Sequence, residues 1–266
     1  MSNAKGASPT LERGSGPAVL FVHGYPLHRA MWRPQLTGLS DAFRISLLDL
    51  PGYGTAVDAP VPDTLAGFGD AVRATVEADF GGHATIVGHS FGGYVALQLF
   101  QDHPELFDRL ILVSTRSGPD SAEAREKRFA MTRRLADPNE HLDVDDVAKT
   151  LLSEATWAEH GPVLEVVRAI VASAPNRTLV PTLTAIANRS DLTPVLSKIR
   201  VPTLVLWGAG DRLIPPAQTQ ALATGISGAR GVEIPRAGHL SPLEAPAAFD
   251  EAVRAFLVGS ERASAR

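Results

Sequence analysis

The chain has 266 residues, of which 44% are hydrophobic and 20% charged, a composition typical of a globular protein with a sizeable core. Its formal net charge of -4 at pH 7 gives no electrostatic attraction to nucleic acid or to an anionic membrane, so we expect a small-molecule partner. The chain contains no cysteine, which excludes disulfides, thiolate metal sites and a cysteine nucleophile.

The apolar stretches of the chain are too short for a membrane span. The longest, Ala18 to Val22 and Val201 to Trp207, fall far below the roughly 20 residues needed to cross a bilayer, and they predict buried strands instead. The start of the chain lacks the basic segment followed by an apolar one that is typical of a secretory signal. We therefore expect a cytoplasmic protein, and the sequence leaves open whether it is a monomer or a dimer.

Strand-like and helix-like segments alternate along the first part of the chain. Residues 18–22 are apolar throughout and run into His23-Gly24-Tyr25-Pro26, as expected of a strand buried on both faces that ends in a turn. Near-helical spacing of Met31, Leu36 and Leu39 predicts a helix. The same patterns predict the elements that follow, namely strands at 44–48, 84–87 and 110–113 and helices at 63–80 and 95–100.

A long segment without strand patterns interrupts this alternation. From about Gly118 to Asp191 the sequence is rich in Ala, Arg, Glu and Leu and is broken by proline and glycine, which predicts a helical cap at 118–192. The alternation then returns, with a strand at 203–207, a loop at 208–216, a helix at 217–224, a strand at 231–234 and a closing helix around 249–256. Residues 1–117 and 193–266 are thus predicted to form an α/β core, with a mostly parallel sheet covered by helices on both faces.

The strongest local signal for chemistry is Gly88-His89-Ser90-Phe91-Gly92, a G-x-S-x-G placed between a predicted strand and a predicted helix. A nucleophile at such a junction sits on a very tight turn, so Gly88 and Gly92 are needed to let the backbones pass closely. The turn lifts the Ser90 hydroxyl above the sheet edge, where the positive end of the following helix favours developing negative charge. The alternative interpretation is a glycine-rich turn with an incidental serine.

A serine nucleophile requires a base, and the base requires a group that fixes its tautomer. His239 follows the last predicted strand, and Asp211 follows the strand at 203–207. Loops at the carboxyl ends of parallel strands converge on one edge of the sheet, so His239 and Asp211 can reach Ser90. The order serine, aspartate, histidine is the one expected for this motif. The competing interpretations are an ordinary turn aspartate and a structural histidine.

Attack on an ester carbonyl creates an oxyanion that needs backbone N–H donors already in position. Phe91, the residue after the proposed nucleophile, supplies one amide. The turn after the first buried strand supplies the other, and Tyr25 is the expected donor. The competing interpretation of that turn is a plain glycine-proline turn.

Taken in order, these motifs resemble those of the α/β-hydrolase superfamily from Val19 to Leu257. The resemblance rests on HGYP at 23–26, DLPGYG at 49–54, GHSFGG at 88–93, Gly210-Asp211 and Gly238-His239. Within the superfamily the chain is similar to small bacterial esterases, lactonases and cofactor-free haloperoxidase or perhydrolase relatives, and more loosely to carbon–carbon bond hydrolases. Epoxide hydrolases and haloalkane dehalogenases use an aspartate nucleophile, which Ser90 argues against.

Two details of the resemblance concern the acid and the start of the chain. Some members place the acid one strand earlier, where this chain has Thr115 and Arg116, and this favours Asp211. Only about 17 residues precede the first clear strand, so the opening hairpin usual in the family is expected to be short or absent.

The residues and the resemblance together predict a serine hydrolase that cleaves a small, largely apolar carboxylic ester or lactone through an acyl-serine intermediate. No cofactor or metal is expected, because the chain has neither H-E-x-x-H nor a glycine-rich phosphate loop. Two other classes stay open. The same triad can serve a carbon–carbon bond or non-hydrolytic acyl reaction, and it can be retained in a small-molecule sensor.

Overall fold

A computed structural model describes residues 10–264, within which one seven-stranded sheet runs through the molecule. Its strands are β1 (Thr10–Arg13), β2 (Ala18–Val22), β3 (Arg44–Leu48), β4 (Ala84–His89), β5 (Phe107–Val113), β6 (Thr203–Gly208) and β7 (Arg230–Ile234). Their order across the sheet is β1-β3-β2-β4-β5-β6-β7. β1 is antiparallel to β3, and β2 to β7 are parallel, so the carboxyl ends of the parallel strands share one edge.

Helices cover both faces of this sheet. The α-helices of the described residues are α1 (Arg33–Gly38), α2 (Leu65–Phe80), α3 (Phe91–Asp102), α4 (Ala122–Leu135), α5 (Val144–Leu151), α6 (Glu154–Glu159), α7 (Pro162–Ala172), α8 (Asn176–Ala187), α9 (Thr193–Leu196), α10 (Pro216–Gly225), α11 (Ser241–Glu244) and α12 (Pro246–Ser264). Short 3-10 helices lie at Arg29–Trp32, Gly54–Ala56 and Pro104–Leu106. Among residues 10–264, no helix combines the length and apolar character that crossing a membrane requires.

The central strands are buried on both faces because their side chains alternate between two cores. Along β2, Leu20 and Val22 contact the core that includes α2 and α3, whereas Val19 and Phe21 contact the core that includes α12. A strand in this position needs apolar residues at consecutive positions rather than at alternate ones. The uninterrupted apolar run of β2 is therefore what places it in the middle of the sheet.

The predicted strands are confirmed, with bounds that differ by a few residues. Those at 18–22 and 44–48 match to the residue, and the other four extend slightly further in the structure. No strand is predicted for β1, whose side chains are mostly exposed, yet backbone pairing with β3 forms a short opening strand there. The helix predicted at 95–100 begins earlier, at Phe91, because the tight turn at Ser90 leads directly into it.

Helices α4 to α8 lie between β5 and β6 along the chain, in the segment predicted to be inserted. Helix α4 packs against α8, and α5 packs against α7. The first pair and the adjoining loops share a small apolar cluster centred on Leu135, Leu179 and Leu183. The second pair contributes Leu151 and Val167 to the core that includes α12. The division of the chain into a core and a cap at 118–192 stays a prediction.

Candidate active site

Ser90 is the residue that joins β4 to α3. Its backbone has φ 51° and ψ -112°, a strained conformation for a residue with a side chain. Strand β5 and the loop after it each hold the turn through one hydrogen bond: Ser90 N donates to Val113 O at 2.9 Å, and Thr115 Oγ1 donates to Ser90 O at 2.8 Å. The turn places Ser90 at the carboxyl edge of the sheet, where it lines a cleft.

Gly88 and Gly92 are required by close backbone contacts around this turn. A Cβ atom at Gly88 would lie 2.5 Å from Gly92 O, and a Cβ atom at Gly92 would lie 2.5 Å from Val22 O. A larger residue at either position would therefore push strand and helix apart.

Asp211 and His239 meet at the carboxyl ends of β6 and β7. The Nδ1 atom of His239 lies 2.8 Å from Asp211 Oδ2, and both side chains are fully buried. The other carboxylate oxygen, Oδ1, accepts from the amides of Leu213 at 3.0 Å and Ile214 at 2.9 Å. Burial alone raises the pKa of Asp211, but the His239 ring and these two amides outweigh it and hold the pKa below its ordinary value. An ionised Asp211 makes Nδ1 the protonated nitrogen of His239.

His239 lies beside the turn that carries Ser90. The rings of His89 and His239 are 4.7 Å apart between centroids, and His89 Nε2 donates to His239 O at 2.9 Å. Burial lowers the pKa of His89 to about 3, so that ring is neutral. His239 Nε2 is buried and has no hydrogen-bond partner among the described residues, Ser90 Oγ included. The structure therefore brings His239 to Asp211 and next to the Ser90 turn without a direct bond to Ser90.

The turn after β2 passes directly beside Ser90. A Cβ atom added at Gly24 would lie 3.1 Å from Ser90 Cβ. The amides of Tyr25 and Phe91 donate no hydrogen bond to the residues that the structure describes, and Phe91 opens α3, where amides lack an acceptor within the helix. Tyr25 and Phe91 both line the cleft. The two predicted oxyanion donors thus flank Ser90.

A buried carboxylate and a buried histidine hold this region in place. Asp49 accepts from the amides of Arg29 and Thr55, both at 2.8 Å. His23 Nε2 accepts from Leu50 N at 3.1 Å, so its Nδ1 donates to Gly24 O at 3.0 Å. Burial lowers the pKa of His23 to about 4, and the ring is neutral. These bonds tie the turn after β2 to the loop after β3.

A cleft of about 430 Å³ opens over Ser90, a volume suited to a small molecule. The turn after β2, the start of α3, parts of α4, α5 and α8, and the loop after Asp211 form its walls. Most of its lining is apolar and includes Pro26, Phe91, Leu142, Val147, Leu151, Leu183, Ile186 and Ile214. Residues 10–264 contain no group of three or more histidine or acidic side chains arranged to hold a metal ion.

Comparison with known families decides the identity of the fold. The model of a family described as the Alpha/beta hydrolase family matches residues 19–252. The chain belongs to the alpha/beta hydrolase family. A curated relative of this alpha/beta hydrolase is the pimeloyl-[acyl-carrier protein] methyl ester esterase of Aeromonas hydrophila, which is 28% identical over 94% of this chain and 99% of the relative.

Solved structures of alpha/beta hydrolases match the chain over nearly its whole length. An esterase from Thermogutta terrifontis has a TM-score of 0.89 and 34% identity, covering 94% of this chain and 92% of that one. The enol-lactonase from Burkholderia xenovorans LB400 has a TM-score of 0.85 and 27% identity, covering 94% and 95%. Because its relatives include esterases and a lactonase, this alpha/beta hydrolase is an enzyme of the broad class that cleaves esters.

Glu244 holds the loop around His239 and was not predicted from the sequence. Its Oε1 atom accepts from the amides of Gly238 at 2.9 Å and Leu240 at 3.2 Å, which flank His239 on both sides. Its Oε2 atom accepts from Ser153 N at 2.8 Å, at the start of α6. No short motif marks such a residue, because its partners come from separate segments of the alpha/beta hydrolase chain.

Arg212 makes a second link of the same kind. It follows Asp211 directly, and its guanidinium donates to Lys149 O and, at 3.0 Å, to Leu152 O at the end of α5. The loops that carry Asp211 and His239 are therefore both bonded to the junction of α5 and α6. This junction belongs to the segment predicted to be the cap.

Proposed function

We propose that the protein is a serine hydrolase that cleaves a small, largely apolar carboxylic ester or lactone through an acyl-serine intermediate. Ser90 Oγ attacks the carbonyl carbon while His239 Nε2 accepts the hydroxyl proton. His239 then gives this proton to the leaving alkoxide oxygen as the ester bond breaks. A water molecule, deprotonated by the same nitrogen, then attacks the acyl carbon, and His239 returns this proton to Ser90 Oγ as the bond to the serine breaks and the acid is released. Asp211 keeps the imidazole in the tautomer that leaves Nε2 free.

The contact between Asp211 and His239 is the observation that supports this proposal most strongly. The carboxylate lies 2.8 Å from Nδ1, and the opposite nitrogen is buried without a partner among the described residues. A buried polar atom without a partner costs free energy, about 1 to 3 kcal/mol, and a purely structural histidine gains nothing by it. Proton transfer from Ser90 gives this nitrogen its partner during the reaction.

We assign the oxyanion hole to the amides of Tyr25 and Phe91. Their position on both sides of Ser90 and their lack of other acceptors among the described residues support the assignment. Removal of one such donor costs about 3 to 4 kcal/mol of transition-state stabilisation in other enzymes. Gly88 and Gly92 serve the same site by permitting the tight turn.

The apolar cleft and the relatives support an ester or lactone as the substrate class. A cleft of about 430 Å³ has room for a small acyl group and a small alcohol. Relatives are named as a methyl ester esterase, an esterase and an enol-lactonase.

Replacement of the nucleophile tests the mechanism. Ser90→Ala is expected to lower kcat/KM for a short-chain aryl ester by about four orders of magnitude or more, because no other hydroxyl can take its place on the turn. The unfolding temperature is expected to stay close to that of the wild type. Ser197→Ala, at an exposed serine that does not line the cleft, is the matched control and should retain full activity.

Labelling with a fluorophosphonate followed by peptide mapping identifies the nucleophile directly, and wild type should be modified at Ser90. Full ester turnover by Ser90→Ala would refute the mechanism. Turnover of β-diketones but not of esters or lactones would instead assign carbon–carbon bond cleavage. Stoichiometric labelling of Ser90 without repeated turnover of any substrate would assign a sensor.

A further inference from the structure

Three arginines gather around one buried carboxylate next to the cleft. Asp120 has a fully buried side chain and contacts Arg116 and Arg128 at 2.5 Å each and Arg189 at 2.9 Å. Arg189 is fully buried, donates also to Ile186 O and stacks on the Tyr94 ring. All three nitrogens of the Arg189 guanidinium therefore donate to oxygens within the protein. Arg116 and Arg128 instead line the same cleft as Ser90.

The two cleft-lining arginines have donors that the protein leaves unpaired. Arg128 uses only Nε in a hydrogen bond, to Asp120, and its two terminal nitrogens have no hydrogen-bond partner in the described residues. Arg116 donates from its two terminal nitrogens to Gln218 and Asp120, and its Nε atom is buried without a partner in the described part of the chain. An unpaired buried donor costs free energy, so Arg116 Nε points to a ligand that accepts from it. The terminal nitrogens of Arg128 belong to a side chain that is 27% exposed and are free to donate to the same ligand.

The Tyr25 hydroxyl is a third unpaired donor in this cleft. It is fully buried, and no described residue hydrogen-bonds to it. Burial raises the pKa of Tyr25 well above its ordinary value, and the charge of Arg128 nearby lowers it by less. The hydroxyl therefore stays protonated and can donate.

The charges around the cleft favour an anion. Asp120 balances one of the three guanidinium groups, which leaves two positive charges in the cluster. Lys127, also on the cleft, is paired with Glu123 at 2.6 Å. Among the described residues that line the cleft, one is acidic, Asp146. It offsets one of the two remaining positive charges. The balance at the cleft stays positive although the whole chain carries a formal net charge of -4.

We propose that the substrate is an ester or lactone that also carries a carboxylate, which Arg116, Arg128 and the Tyr25 hydroxyl bind while Ser90 attacks the ester carbonyl. The inference rests on the proposed hydrolase function and specifies its substrate class. A guanidinium only donates hydrogen bonds, a protonated phenol has one hydrogen to donate, and a carboxylate accepts from several donors at once. The apolar remainder of the cleft then holds the hydrocarbon chain between the two carbonyl groups.

Paired substrates test this inference. Monomethyl esters of linear dicarboxylic acids are compared, over a series of chain lengths, with methyl esters of monocarboxylic acids of equal carbon number, and methanol release is measured at pH 8. The wild type is expected to favour the charged ester of optimal length by about tenfold or more in kcat/KM, as charge-assisted hydrogen bonds contribute in partly buried sites.

Three variants locate the binding groups. Arg128→Met is expected to lower this selectivity by about tenfold, while Asp120 keeps two arginine partners. Tyr25→Phe removes a hydroxyl that hydrogen-bonds to no described residue and retains the backbone amide, so it should fold normally and lower the selectivity several-fold. Arg133→Met makes the same charge change on an exposed position of α4, where the side chain is 65% exposed, and should leave the selectivity unchanged.

The outcomes separate the two proposals. Equal kcat/KM for charged and neutral esters in the wild type would overturn the carboxylate site, and Ser90-dependent cleavage of both would leave the serine hydrolase intact. Selectivity that is as high in Arg128→Met and Tyr25→Phe as in Arg133→Met would also overturn the site. Failure of Arg128→Met to fold would leave Tyr25→Phe as the deciding variant.

Discussion

The Asp211 carboxylate determines which nitrogen of His239 can act as a base. Its Oδ2 atom faces Nδ1, and its Oδ1 atom accepts from the amides of Leu213 and Ile214. In Asp211→Asn the amide oxygen is held by those two amides, so the NH2 group faces His239. Nδ1 must then accept a hydrogen bond, and the proton moves to Nε2, where it blocks proton transfer from Ser90.

Asp211→Asn is therefore expected to lower kcat by about 10⁴-fold for any substrate that Ser90 attacks, with little change in unfolding temperature. Steady-state kinetics with a short-chain aryl ester, beside a thermal unfolding curve, measures both quantities. A variant that keeps more than a tenth of the wild-type kcat would show that tautomer control by Asp211 is not part of the reaction.

Residues of the candidate site differ in how far the sequence predicts them. Ser90 could be predicted because the tight turn requires glycine at fixed positions, and this requirement is local in sequence. Asp211 and His239 followed from the order of strands, since each comes directly after a strand of the parallel sheet. Glu244 could not be predicted, because its role depends on amides that only the folded chain brings together.

Helix α11 is hydrogen-bonded to the loop that carries His239, the proposed base. Through Glu244 it binds the amides on both sides of His239 and the first turn of α6. Glutamine at this position offers one acceptor oxygen in place of two, so at least one of the three amides loses its partner. Displacement of the His239 loop is the expected consequence.

Glu244→Gln is expected to lower kcat about tenfold with a smaller change in KM, because Glu244 does not line the cleft while the base it positions acts in the chemical step. The loss of stability should be about 1 to 3 kcal/mol. Steady-state kinetics and urea unfolding measure the two effects. Glu251→Gln, the same change at an exposed position of α12, serves as control and should alter neither. Reduced stability with an unchanged kcat would assign Glu244 a structural role alone.

The sequence predicts a strand well where the side chains of that strand are fully buried, and less well where most of them are exposed. Strand β2 is apolar at consecutive positions because helices cover both of its faces. Strand β1 carries three exposed side chains of four, and backbone pairing with β3 stabilises it instead. That pairing leaves no pattern of apolar side chains in residues 10–13. The sequence places the start of α3 too late because Gly92 and Gly93 have low helix propensity. In the structure the turn at Ser90 leads directly into the helix despite these glycines.

The molecule as a whole buries titratable groups with opposite effects on stability. The folded-state pKa values of His23 and His89 are about 4 and about 3, below the ordinary value of 6.5, because burial disfavours the charged rings. The unfolded chain therefore binds protons below pH 6.5 that the folded chain does not bind. Burial of Asp250 raises its folded-state pKa from 3.8 to about 6, so this group takes up its proton first in the folded chain. Acidification thus weakens the fold through the histidines and strengthens it through Asp250.

The histidines are expected to dominate between pH 7 and pH 5. Each pKa unit of separation between the two states contributes about 1.4 kcal/mol, so His23 and His89 together cost about 4 kcal/mol at pH 5, and the stabilisation by Asp250 reaches only part of that. The urea midpoint of the wild type should fall over this range. In Asp250→Asn, which keeps an acceptor for Gln35 Nε2, the opposing contribution is removed, so the variant should be more stable than the wild type at pH 8 and lose stability more steeply below pH 6. Parallel curves for the two proteins, or a wild-type midpoint that rises between pH 7 and pH 5, would contradict this balance of buried groups.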